Sequence, residues 1–240
     1  MNFLAHALLS GEAEADRVGG LMGDFVKGPL PAGLPPDLAA GVALHRAIDS
    51  FADRHPAFAA SRARVSPGRR RVGGILVDLF YDHLLARDWA DHGEGSLKAY
   101  TAQLYASLDR YSAQLPPAAC EIAGLMRRDD WLCSYRDVSA VGRVIDRMAV
   151  YRLRRATPLG GGIEEFLADS AGFGNADLFR QFLTRVRNEM RQRDLFPRHK
   201  FLNNAFFFHC SPPPLKLPLS WQFFVRVNNK IRQPGLKGEV

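Results

Sequence analysis

Leu76-Val77-Asp78-Leu79-Phe80-Tyr81-Asp82-His83-Leu84 places two carboxylates and an imidazole inside a run that otherwise reads as a buried apolar helix. Carboxylates buried without partners cost on the order of several kcal/mol, so such groups either neutralise or find a cation. Asp78 and Asp82 stand at i and i+4, on one helix face and roughly 6 Å apart. His83 flanks that face. Upstream, His45-Arg46-Ala47-Ile48-Asp49 repeats the spacing with an imidazole and a carboxylate, and Asp53 follows one turn later. Two such helices facing each other would build a mixed nitrogen and oxygen site for a divalent cation.

Helical patterns extend outward from this segment in both directions. They cover 2–10, 13–26, 36–52, 72–87, 96–114, 117–127 and 139–151, then 159 to about 194 with a break. Pro35-Pro36-Asp37 puts proline and an acidic group at a helix start, ahead of Leu38, Val42, Leu44 and Ile48 at helical spacing. Gly28-Pro29-Leu30-Pro31-Ala32-Gly33 and Pro67-Gly68 mark loops, and Gly160-Gly161-Gly162 and Gly172-Phe173-Gly174 interrupt the later helices. No convincing strand alternation and no internal repeat occurs. The expectation is an all-α chain with a single helical bundle over residues 1–195.

With 47% apolar and 10% aromatic residues in 240, the chain has ample material for a packed core. Cys120, Cys133 and Cys210 show no metal-type spacing and do not suggest a disulfide framework, which fits a reducing cytoplasm. Met1 to Ser10 lacks a basic leader and carries His6, so it reads as a first helix and not a signal peptide. No apolar run approaches the roughly 20 residues of a membrane span.

The net charge of +7 is unevenly spread, with +6 of it in residues 197–240. That segment, with Phe206-Phe207-Phe208, Pro212-Pro213-Pro214 and paired asparagines, reads as a basic, Phe/Pro-rich and poorly ordered tail over 196–240. Its rival reading is an aromatic, basic arm for a polyanion or a membrane surface. In the nearly neutral body, arginines cluster at Arg62, Arg64, Arg69, Arg70 and Arg71, at Arg127 and Arg128, and at Arg152, Arg154 and Arg155. Guanidinium forks suit phosphates and carboxylates, and a solvated loop is the alternative.

Several motifs in order carry a family resemblance: Met1-Asn-Phe-Leu-Ala-His6, Gly20-Leu-Met-Gly-Asp24-Phe-Val-Lys-Gly28, Leu34-Pro-Pro-Asp37 through His45-Arg46-Ala-Ile-Asp49, Asp78-Leu-Phe-Tyr-Asp82-His83 and Trp131-Leu-Cys-Ser-Tyr135-Arg136-Asp137. Together, from Met1 to about Arg193, they resemble the bacterial acyl carrier protein phosphodiesterases, and the tail has no counterpart. That family looks like a divergent relative of the helical HD-domain phosphohydrolases. The resemblance implies hydrolysis of the phosphodiester joining 4′-phosphopantetheine to a serine of holo acyl carrier protein, supported by a divalent metal.

Phosphodiesters are anionic and resist nucleophiles, so a hydrolase needs a cation to neutralise the phosphoryl oxygens and to activate water. Imidazole and carboxylate ligands favour Mn²⁺ first, with Mg²⁺ or Fe²⁺ as alternatives. With the resemblance, the expected metal ligands are Asp24, His45, Asp78 and Asp82, with His83 and Asp49 as ligands or orienting partners. His6 is a candidate base or phosphate contact, His83 a second catalytic candidate, and Arg46 and Arg136 candidate phosphate clamps. Each has a plainer rival. Asp24 could cap a helix or pair with Lys27 or Arg46, His45 could be a hydrogen-bonded core histidine, and Asp49 and Asp53 could form an acidic face with Arg46 and Arg54. Asp37 reads as a helix-start residue, and Trp131 and Tyr135 as core.

The partner implied is holo acyl carrier protein, a small acidic protein that an arginine patch would steer. Arg62 to Arg71 is the leading patch and Arg127 with Arg128 the second. Two other function classes share these residues: a metal-dependent phosphohydrolase of nucleotides or small phosphate esters, and a non-enzymatic helical module holding nucleic acid through its basic tail.

Overall fold

A computed structural model describes residues 2–151 and 158–192, without the side chains of 151, 176–178 and 192. The expected tail over 196–240 and the cluster Arg152, Arg154 and Arg155 lie outside the described residues.

Every regular element among the described residues is helical, as the sequence pattern predicts. In chain order these are α1 (Phe3–Leu9), α2 (Glu14–Met22), α3 (Pro36–Ala52), α4 (Pro56–Arg64), α5 (Gly73–Arg87) and α6 (Leu97–Arg110). They continue as α7 (Pro117–Arg128), α8 (Trp131–Ser134), α9 (Val138–Tyr151), α10 (Ile163–Ala168), α11 (Ser170–Phe173) and α12 (Ala176–Gln192), with short 3-10 turns between some of them. Proline takes a first-turn position in α3, α4 and α7, where its missing N–H has no helical partner to lose. Asp37 accepts the N–H of Leu38 in the first turn of α3, the helix-start role its sequence position suggests.

α5 is apolar on nearly every side, and a helix of that kind belongs inside. Leu76, Val77, Leu79, Phe80, Tyr81, Leu84, Leu85 and Ala86 are all buried. α1, α4 and α9 pack against it. Tyr81 sits between Phe179 and Phe182 of α12, with ring centroids 4.9 and 5.3 Å away, so the late helix closes over α5.

α2 and α3 make the tightest crossing. A Cβ on Gly19 would stand 2.8 Å from the Gly41 backbone, and one on Gly41 would stand 2.8 Å from the Ala15 carbonyl. Only hydrogen at both positions lets the two helix backbones meet. That close approach brings the last turn of α2 against the middle of α3, which is where the polar residues of the next section gather.

Candidate metal centre

α1 and α3 stack His6 on His45, with ring centroids 3.9 Å apart and 24° between the planes. Asp49, one turn after His45, reaches both rings: its Oδ1 lies 2.9 Å from His6 Nε2 and its Oδ2 3.4 Å from His45 Nε2. Asp24, in the 3-10 turn Gly23–Phe25 that follows α2, brings Oδ1 to 3.4 Å from the same His45 Nε2. One ligand atom from each of His6, His45 and Asp49 falls within 4.8 Å of the other two.

Local structure explains why these groups converge. His45 Nδ1 lies 2.7 Å from the Gly20 carbonyl, an acceptor only, so Nδ1 carries the proton and Nε2 turns inward. A Cβ on Gly23 would stand 2.5 Å from His45 Cγ, so glycine there makes room for the ring. The histidines are buried while the Asp49 side chain keeps 31% of its surface exposed, leaving the cluster open on that side.

Electrostatics favour positive charge at the centre. Burial and the neighbouring His45 push His6 down to about 4, so it is a neutral imidazole near pH 7. Burial also works against charge on His45, but Asp49 and Asp24 outweigh it and raise its pKa. Asp49 is held well below the usual carboxylate range despite its burial, in part by both histidines. Asp24 is lowered too, because the hydrogen bond and charge of His45 overcome desolvation. Two imidazoles and the Asp49 carboxylate within reach of one another, with the Asp24 carboxylate against His45, make a donor set that fits a divalent cation, which supplies the positive charge more fully than a proton does.

α5 contributes less than its sequence suggests. Asp82 is fully buried, but its Oδ2 accepts the Leu4 N–H at 2.9 Å and its Oδ1 the Ala5 N–H at 3.0 Å. Both oxygens thus satisfy the first turn of α1, where helix N–H groups have no partners of their own. Burial, opposed by those two bonds, leaves its pKa at about 7. His83, about 100° further round the helix, points Nδ1 at the Tyr135 carbonyl, 2.8 Å away, and sets its ring edge-on to Phe166. Asp82 thus faces the first turn of α1 and His83 faces Tyr135 and Phe166, and neither belongs to the His6, His45 and Asp49 group. Asp78 is coupled to the cluster through charge: burial raises its pKa to about 6, and the charges of Asp49 and Asp53 push in the same direction.

The candidate clamps divide as well. Arg46 is half-buried and donates through Nη2 to the Val26 carbonyl at 3.0 Å, beside Asp24. Arg136 is exposed on the turn after α8, next to the Tyr135 that receives His83, and no described contact ties it to the cluster.

Much of the arginine surface is already paired. Arg64 bonds Asp169 at 2.6 Å, and Arg69 bonds Glu165 and the Pro158 and Gly160 carbonyls. Arg127 pairs with Asp109 and Arg128 with Asp129. Arg62, Arg70 and Arg71 are exposed without an ion pair among the described residues.

The orienting Gly20 carbonyl escapes any reading of side chains, because every residue carries that group and only the fold selects one.

Fold and site define an all-α protein built round a buried His/Asp cluster with the donor set of a divalent-cation centre. The family model described as acyl carrier protein phosphodiesterase matches residues 1–186, and the chain belongs to that family. It is 34% identical over 161 residues to the acyl carrier protein phosphodiesterase of Serratia proteamaculans, covering 67% of this chain and 83% of that one. The protein of the same name from Photorhabdus laumondii is 30% identical over 197 residues, covering 82% and 98%. That from Escherichia coli O45:K1 is 33% identical over 155 residues, covering 64% and 80%. No solved structure matches the chain, so the likeness to HD-domain phosphohydrolases rests on the sequence resemblance alone.

Proposed function

We propose that this chain hydrolyses the phosphodiester between 4′-phosphopantetheine and the serine of holo acyl carrier protein, giving apo acyl carrier protein and free 4′-phosphopantetheine. The observation that carries this reading is the meeting of His6, His45 and Asp49, with Asp24 against His45, in a member of the acyl carrier protein phosphodiesterase family. His6, His45, Asp49 and Asp24 would hold a divalent metal, Mn²⁺ by preference, with Asp78 beside them. Such an ion neutralises phosphoryl oxygens and makes water more acidic near neutral pH.

The remaining roles belong to the chain's own groups. The Gly20 carbonyl holds His45 in the tautomer whose Nε2 faces Asp24 and Asp49. Arg46 contacts a phosphoryl oxygen with N–H groups left over from its bond to Val26. Both histidines are buried, and Asp49 keeps 31% of its side-chain surface exposed. We place the catalytic unit within residues 1–195, which the span of the family match supports. The unpaired thiols of Cys120 and Cys133 suit the reducing cytoplasm, where fatty acid synthesis on carrier proteins takes place. No helix among the described residues is long and apolar enough to cross a membrane.

The test is to incubate the full chain with holo acyl carrier protein and follow loss of the prosthetic group by mass spectrometry, with chelator and then with Mn²⁺, Mg²⁺ or Fe²⁺ restored. Conversion to apo protein that chelator stops and Mn²⁺ restores is the expected result. Turnover of nucleotides or simple diesters without turnover of the carrier protein would overturn the reading.

A further inference from the structure

Two cations stand side by side on the rim of this cluster. Arg46 Nη2 donates to the Val26 carbonyl at 3.0 Å, and the Lys27 ammonium donates to the Asp24 carbonyl, so both side chains close on the same four-residue turn. That turn also carries the Asp24 carboxylate, whose Oδ1 lies 3.4 Å from His45 Nε2. Among the described residues neither cation is within ion-pair reach of a carboxylate; each spends one donor on a neutral backbone oxygen. Arg46 keeps four N–H donors and Lys27 two.

Like charges held together cost free energy unless something compensates them. Lys27 registers that cost: its pKa is lowered by partial burial and by Arg46, against the pull of Asp24. Arg46 is lowered by burial as well. Nothing in the packing forces the arrangement. Lys27 is exposed and could swing into solvent, and the next residue, Gly28, has φ +76° and nothing within 4 Å of where a Cβ would stand, so the turn ends in open space.

We infer that Lys27 and Arg46 form one anion subsite that grips the non-bridging oxygens of the scissile phosphodiester at the Asp24 edge of the cluster. The inference rests on the phosphodiesterase reading for the identity of the anion, and it adds Lys27 as a substrate-binding residue. A phosphodiester carries two such oxygens, and a planar fork and a mobile ammonium suit it from two sides. Asp49, Asp53 and Asp78, whose charges act on one another, make their part of the cluster acidic and repel the same group. Lys27 and Arg46 therefore draw the substrate phosphate to the Asp24 side of the cluster.

The experiment measures inorganic phosphate binding by calorimetry to the full chain loaded with Mn²⁺, alongside Mn²⁺ affinity and steady-state kinetics on holo acyl carrier protein. Lys27→Met should weaken phosphate about tenfold and raise KM for the carrier protein similarly, with Mn²⁺ affinity unchanged. Lys27→Arg should restore both. Phosphate that binds Lys27→Met as tightly as wild type overturns the inference. So does a parallel fall in Mn²⁺ affinity, which would mean that Lys27 acts only by bracing Asp24. Phosphate binding that tracks Lys27 in a wild-type chain inactive on holo acyl carrier protein would leave the subsite standing and remove the hydrolase reading. Normal turnover with phosphate binding indifferent to Lys27 would do the reverse.

Discussion

His45 is held by the Gly20 carbonyl, 2.7 Å from its Nδ1, at the tightest helix crossing in the fold. Small residues let α2 and α3 meet, the meeting aligns a backbone carbonyl with an imidazole, and the imidazole then offers Nε2 to Asp24 and Asp49. Backbone packing thus sets the chemistry of a side chain, and variants that alter the crossing should act on the site before they act on stability.

Gly23→Ala tests this chain of causes. Gly23 has ordinary right-handed helical dihedrals, so alanine is not strained there, but its Cβ would lie 2.5 Å from His45 Cγ. The ring must move by the best part of an ångström. Displacements of that size cost on the order of 100-fold in rate, so kcat and Mn²⁺ affinity should fall together while the thermal midpoint changes by only a few degrees. Wild-type metal affinity in Gly23→Ala would contradict the account.

Asp82 and the start of α1 predict a different signature. Replacing Asp82 with alanine leaves the Leu4 and Ala5 N–H groups buried without acceptors, and should destabilise the chain by about 3 kcal/mol in urea unfolding. Asp82→Asn keeps one acceptor and should cost about half as much. A structural anchor of this kind leaves the number of bound metal ions unchanged. Loss of a metal ion from folded Asp82→Asn would instead make Asp82 a ligand, as its sequence position suggests.

That contrast shows what the chain reveals before it folds. α3 is legible to the residue because proline opens it and four apolar groups at helical spacing follow, and the His45/Asp49 pair on it does meet its partners. α5 is legible as a buried helix, but the amide partners of Asp82 are not, since a buried carboxylate satisfied by two amides looks in sequence the same as one awaiting a cation. The difference lies in residues 77 and 78 positions away. α4 goes unread because it lacks a repeating apolar face: around Phe58 the helix is mostly alanine, serine and arginine, and it is held by its contacts with α5 and α12.

Asp16 supplies the pH prediction. It is buried on α2, and desolvation with the nearby charge of Asp37 raises its pKa to about 6. The folded chain therefore keeps a proton that the unfolded chain, with an ordinary aspartate, releases near pH 4. Stability from this group falls as pH rises from about 4 to 6 and is flat above that window. Asp16→Asn should remove that slope, leaving the two proteins closest near pH 4 and the variant about 2 kcal/mol more stable at pH 8. Equal urea midpoints for both proteins at pH 8 would show that Asp16 is solvated in the folded chain.

The arginine surface yields the last expectation, and the pairings within the fold decide which residues it concerns. Arg64 and Arg69 fasten α4 and the turn Pro67–Val72 to the α10 and α11 region, so their charge is spent on Asp169 and Glu165, and changing them would disturb packing. Arg127 and Arg128 are likewise matched by Asp109 and Asp129. Exposed Arg70 and Arg71, with Arg62, which feels the charge of Asp53 near the cluster, keep a field that an acidic protein would meet. Reversing Arg70 and Arg71 together to glutamate should raise KM for holo acyl carrier protein about tenfold in low salt and flatten its dependence on ionic strength. The rate at saturation should hold, because neither residue belongs to the His6, His45, Asp49 and Asp24 cluster. A KM indifferent to the double reversal at low ionic strength would move the docking surface elsewhere on the molecule.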